Sequence, residues 1–170
     1  LIVHYPDKFK AQRINAPVSL VDILPTVAAL GNGGADIETC EPLDGNNLVP
    51  LMSGQINEWS EPVICEILSE GVTAPSFMIR KGDYKYIHSS EYDPILFNLA
   101  DDPNELVNLA GRPEMAELEN EFAMEISERW DERALSEEIL IDQRRRLLIQ
   151  RTLTNGKYTS WDFQTGYEAE

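Results

Sequence analysis

Between residues 62 and 99 four short β-rich runs (62–68, 77–80, 84–88 and 95–99) follow one another with connections too short to hold a crossover helix. Parallel neighbours need a connection of roughly a dozen residues or more, so these runs must pair as antiparallel strands. Lys81-Gly82-Asp83, between the second and third runs, is a hairpin signal. The chain is therefore built around a small antiparallel sheet, with its helices before and after.

Ahead of the sheet, Leu1-Ile2-Val3 reads as a strand already under way rather than as a charged leader, which suggests a piece of something larger. Asp22 is placed to cap a helix that carries Pro25 in its first turn and stops at Gly31. Leu20, Ile23, Val27 and Leu30 give that helix an apolar face. Residues 31–44 are loop, and 46–52 look like a short second helix. Behind the sheet, Asp102-Pro103-Asn104-Glu105 matches a capping box and predicts a brief helix ended by Gly111. A longer helix begins at Pro113 and carries Met115, Leu118, Phe122, Ile126 and Trp130 as a core stripe. A further helix covers about 131–153, with Glu132, Glu137 and Glu138 early and Arg144, Arg145, Arg146 and Arg151 late, as the helix dipole prefers. The fold class is α+β.

Thirty acidic against fourteen basic residues leave a net charge of -16, a field that repels nucleic acid and anionic lipid and favours cationic ligands. The longest apolar runs fall far below the roughly 20 residues that span a bilayer, so no membrane segment is expected. Cys40 and Cys65 are too few for a disulfide framework and lack metal spacing, which favours a reduced, cytoplasmic setting. His4 and His88 have no partner motif, and no serine stands in a nucleophile elbow. The tail is different. Tyr158, Trp161, Phe163 and Tyr167 are interleaved with Asp162, Glu168 and Glu170. Rings beside carboxylates suit a quaternary ammonium, which has no N–H to donate, although aromatic anchors for a tail are also common.

Several segments resemble the C-terminal portion of the type I sulfatases of the alkaline-phosphatase superfamily: 18–30 (VSLVDILPTVAAL), 42–54 (PLDGNNLVPLMSG), 78–87 (MIRKGDYKYI) and 96–110 (LFNLADDPNELVNLA). Residues 66–75 (EILSEGVTAP), Arg129-Trp130-Asp131, 142–146 (DQRRR) and 156–163 (GKYTSWDF) are similar to the choline sulfatases within that family. The resemblance implies that 1–58 end a large α/β domain with a strand and a helix. Residues 59–112 would then form a small sheet subdomain, 113–156 a helical extension and 157–170 a tail. It implies hydrolysis of choline-O-sulfate to choline and sulfate by an enzyme with a formylglycine nucleophile and Ca²⁺ or a similar divalent ion.

Cys40-Glu41-Pro42-Leu43-Asp44 begins like the formylglycine motif but has Asp44 where an arginine is required, so Cys40 is a decoy. The resemblance therefore places the nucleophile, the metal ligands and the sulfate-binding groups in an N-terminal catalytic portion. This chain would have no catalytic or metal residue of its own and would be inactive alone. Its expected choline contacts are Glu66, Glu70, Trp161, Asp162 and Phe163. The competing expectation is an interaction module whose helical end makes a homo-oligomer.

Overall fold

The computed structural model describes residues 1–156. Strands β1 (Val63–Ile67), β2 (Ser76–Lys81), β3 (Tyr84–Ser89) and β4 (Tyr92–Asn98) form one antiparallel meander in the order β1-β2-β3-β4. The β2–β3 connection is the expected hairpin, with Gly82 at φ 58°, a region that costs a β-carbon-bearing residue energy. Pro94 lies in β4 at the sheet edge, where its missing N–H breaks no interior ladder.

Side chains two apart on a strand share a face, so register decides what meets. Ile64, Ile79, Tyr86 and Leu96 stand opposite one another across the four strands, and Glu66, Phe77 and His88 form the neighbouring row. Phe77, Ile79 and Leu96 are completely buried. Helix α3 (Ala116–Arg129) lies on this face after a 3-10 turn at Pro113–Met115. Its ring at Phe122 stacks on Tyr86 with centroids 5.6 Å apart, and Trp130, which ends the helix in an extended conformation, stacks on Phe77 at 4.5 Å. Ile126, one turn from each, is buried. The apolar stripe is core, as its spacing predicts.

Before the sheet, a 3-10 turn at Leu20–Asp22 leads into α1 (Ile23–Gly31), and α2 is a single turn, Val49–Met52. Asp22 caps nothing by its own side chain on α1. Instead its buried carboxylate accepts the Ser19 N–H at 2.7 Å and the Asn46 N–H at 2.8 Å. Thr26 Oγ1 accepts the Leu48 N–H at 2.9 Å, so α1 and the Asp44-Gly45-Asn46 segment are tied together by buried polar groups. A β-carbon on Gly45 would lie 2.1 Å from the Val21 carbonyl oxygen, which is why this position is glycine.

Two expectations are corrected. Residues 1–3 form no strand: an extended run without a paired neighbour has nowhere to direct its backbone hydrogen bonds. Residues 102–111 form no helix either. Glu105 adopts φ 57°, which breaks helical continuation, and its carboxylate reaches Lys85 Nζ at 2.6 Å rather than the Asp102 N–H. Asp102 Oδ2 takes the Leu106 and Val107 N–H groups at 2.7 and 2.8 Å, closing a loop.

The chain divides into two compact units, Leu1–Trp130 and a second that begins at Asp131. Helix α3, grouped with the extension in the sequence reading, lies in the first. In the second, α4 (Glu132–Thr154) is capped by Asp131, whose side chain accepts the Ala134 N–H at 3.0 Å. It carries the i,i+4 ion pairs Arg133–Glu137 and Asp142–Arg146 and buries none of its residues. Among the described residues no helix is long and apolar enough to cross a membrane.

Candidate functional site

Glu66 is an exposed carboxylate on the edge strand β1, opposite Phe77 in the register. Helical spacing of four residues brings Phe122, Ile126 and Trp130 onto the same face of the sheet, and the last of these lands on Phe77. The Trp130 indole Nε1–H then donates to Glu66 Oε2 at 2.9 Å. The second carboxylate oxygen accepts no hydrogen bond among the described residues. The result is a fixed anion beside a stacked aromatic pair, with the lower ring completely buried. Such a group attracts a soft cation through charge and through the π-faces or edges around it.

The other expected contacts are not brought to this point. Glu70 is exposed in the β1–β2 connection beside Gly71, and no hydrogen bond joins it to Glu66 or Trp130. Trp161, Asp162 and Phe163 lie outside the described residues. Trp130 and Phe77, which the sequence reading assigned to structure, are the groups that meet Glu66. The signal for Trp130 was present in the Arg129-Trp130-Asp131 segment, but its partner lies 64 positions away and becomes visible only through the strand register.

A cavity of about 640 Å³ lies between the N-terminal segment and α2, lined by Tyr5, Phe9, Leu48 and Met52. Its lining includes Lys10 and Arg13 and no acid, so its charge is wrong for a cationic ligand. Beside the β2–β3 hairpin, Glu125 on α3 accepts hydrogen bonds from Lys81 and Arg129, both at 3.0 Å. Burial pushes the Glu125 carboxyl up, but these two cations outweigh it and hold the group below the ordinary glutamate range. The buried Tyr86 hydroxyl is pushed up by desolvation and by the charge of Glu119, which keeps it protonated.

Cys40 and Cys65 are free and exposed. Among the described residues no group of three or more His, Cys, Asp or Glu could hold a metal ion. The described residues do not fit a divalent ion, and Asp44 stands where the formylglycine motif that Cys40 would begin requires an arginine.

The family model for the C-terminal part of N-sulphoglucosamine sulphohydrolase matches residues 1–132. The chain belongs to this sulfatase family. As a sulfatase C-terminal domain it is 37% identical over 153 residues to the choline-sulfatase of Rhizobium meliloti (strain 1021), a match covering 87% of this chain and 29% of that protein. It is 36% identical over 123 residues to arylsulfatase K of Gallus gallus, covering 65% of this chain and 22% of that one. Among solved structures, Ps i-CgsB superposes with a TM-score of 0.61 at 28% identity, over 76% of this chain and 28% of that one. The 2-O GAG sulfatase BT1596 superposes with a TM-score of 0.54 at 29% identity, over 64% and 23%. This sulfatase domain thus spans less than a third of the curated relatives it matches. Its α+β fold, with the four-stranded antiparallel sheet, superposes on parts of these two solved structures.

Proposed function

We propose that the protein carrying this domain hydrolyses choline-O-sulfate to choline and sulfate, with bond breaking at the formylglycine and divalent ion of an N-terminal catalytic portion. The observation that carries this reading is the extent of the choline-sulfatase match. At 87% of the chain it must continue past residue 132 into α4, where the sulfatase family model ends. On this reading the domain supplies recognition and assembly and is inactive alone. Glu66 and Glu70 offer negative charge to the quaternary ammonium, and Trp161, Asp162 and Phe163 of the tail contribute rings and a further carboxylate. The net charge of -16 favours the quaternary-ammonium end of the zwitterionic substrate and the cationic product, and two free cysteines suit a cytoplasmic setting.

The test compares turnover of choline-O-sulfate with that of 3,3-dimethylbutyl sulfate, the carbon isostere whose head group carries no charge, by the full-length protein. Preference for the ester with the quaternary ammonium by tenfold or more in kcat/KM is the expected result. Equal rates on the two esters would reject cation recognition.

A second reading, an assembly module, is favoured by α4. Leu140, Leu147, Leu148, Ile149 and Leu153 are all roughly half exposed or more. Apolar side chains exposed on several sides of a helix that buries none of its own residues are suited to contact with a second copy of the chain. Sedimentation of the 170-residue chain should reveal a concentration-dependent oligomer that Leu147→Glu with Leu148→Glu dissolves, whereas a strictly monomeric wild type would reject it.

A further inference from the structure

We infer that Trp130 is a positioning residue for the Glu66 carboxylate, holding it in one orientation toward the cationic head of the substrate. The inference rests on the choline reading of Glu66 and adds a residue to it. A quaternary ammonium makes no directional hydrogen bond, so it cannot itself orient a flexible glutamate. An exposed Glu samples several rotamers, and each must be given up on binding unless it has been given up beforehand. Here the Trp130 Nε1–H holds Oε2 at 2.9 Å and leaves the other oxygen without a partner among the described residues.

The indole is itself fixed from two directions. Its ring stacks at 4.5 Å and 26° on Phe77, which is completely buried, and its backbone N–H donates to the Ile126 carbonyl at 3.0 Å. The donor, on a half-buried ring, is therefore braced against the packed core, while the acceptor lies at the surface. A surface carboxylate held by a braced donor is preorganised without being neutralised, since the bond comes from a neutral N–H rather than from a cation.

The experiment uses Trp130→Phe, which keeps a six-membered ring to pack on Phe77 and removes the N–H with the rest of the five-membered ring, together with Glu66→Gln and the double variant in the full-length protein. Trp130→Phe is expected to raise KM for choline-O-sulfate about fivefold with kcat unchanged, and to lower selectivity over 3,3-dimethylbutyl sulfate by the same factor. Glu66→Gln should cost at least as much, and the double variant no more than Glu66→Gln, because the two residues act through one carboxylate. If Glu66→Gln raises KM and Trp130→Phe does not, or if the two effects add, the positioning role is wrong while the Glu66 reading stands. If Glu66→Gln leaves KM unchanged, the Glu66 reading fails and takes the inference with it. Equal losses on both esters would make Trp130 merely structural and overturn the inference. A measurement independent of turnover uses NMR of the 170-residue chain. The Trp130 Nε1–H resonance, identified by its absence in Trp130→Phe, should move in Glu66→Gln and exchange faster with solvent; an unmoved resonance would also overturn the inference.

Discussion

Helices α3 and α4 follow one another along the chain and are built from similar residues, yet they use their apolar side chains in opposite ways. On α3, Phe122, Ile126 and Trp130 recur at four-residue steps and all meet one sheet face. On α4, Leu140, Ile141, Leu147, Leu148 and Ile149 are distributed around the helix, and none is buried. A single stripe specifies one partner surface, whereas apolar residues on several sides leave surface that only another chain or another segment can cover. Burial rather than composition separates a helix that builds the core from one that leaves its apolar side chains exposed.

The largest expected effect follows from this contrast. Phe77→Ala removes the ring beneath Trp130 and opens a cavity under α3, and should destabilise the first unit by about 3–5 kcal/mol. Leu148→Ala on α4 removes a side chain that is 67% exposed and should change stability by less than about 0.5 kcal/mol. Denaturant unfolding of the 170-residue chain checks both. Comparable losses would mean that α4 is buried in solution.

Helix α1 is an intermediate case and sharpens the comparison. Leu24 and Val27 are more than half exposed, as on α4, but the opposite side is tied to the Gly45 segment through Thr26 and the preceding Asp22. Gly45→Ala would drive a methyl into the Val21 carbonyl and should cost about 1–3 kcal/mol by forcing the segment off α1. An unchanged melting temperature would show that this tie is loose and that α1 behaves as α4 does.

The sheet was legible because its information is local: four β-rich runs, a glycine at the hairpin and connections too short for crossovers left one way to pair. The α3 stripe was legible for the same reason, since periodicity names a face without naming its partner. Expectations failed where a local signal competed with something distant. The Asp102 to Glu105 capping pattern gave way to the ion pair with Lys85, 20 residues earlier, and the first three residues lacked a strand to join. Of the expected choline contacts, Glu66 acquired a structural setting only through its register with Phe77, whereas the tail residues 161–163 lie outside the described part of the chain.

The smallest effect compares one kind of bond on the two helices. Glu125 on α3 is paired with Lys81 and Arg129 and is only 19% exposed, whereas the Asp142–Arg146 pair on α4 stands in solvent at 46% and 76%. Glu125→Gln should cost about 1 kcal/mol at neutral pH, and Asp142→Asn about 0.3 kcal/mol, because solvent screens the second pair far more. Since the folded protein holds the Glu125 carboxyl below its ordinary range, the unfolded chain binds this proton first as pH falls. The stabilisation is therefore complete above the ordinary glutamate range and disappears as pH falls through the lowered folded value. Thermal melts from pH 7 down to about pH 3 should show the wild type and Glu125→Gln converging on acidification. A gap that stays constant with pH would mean that the glutamate contributes packing rather than charge, and the distinction between the two helices would then rest on their apolar faces alone.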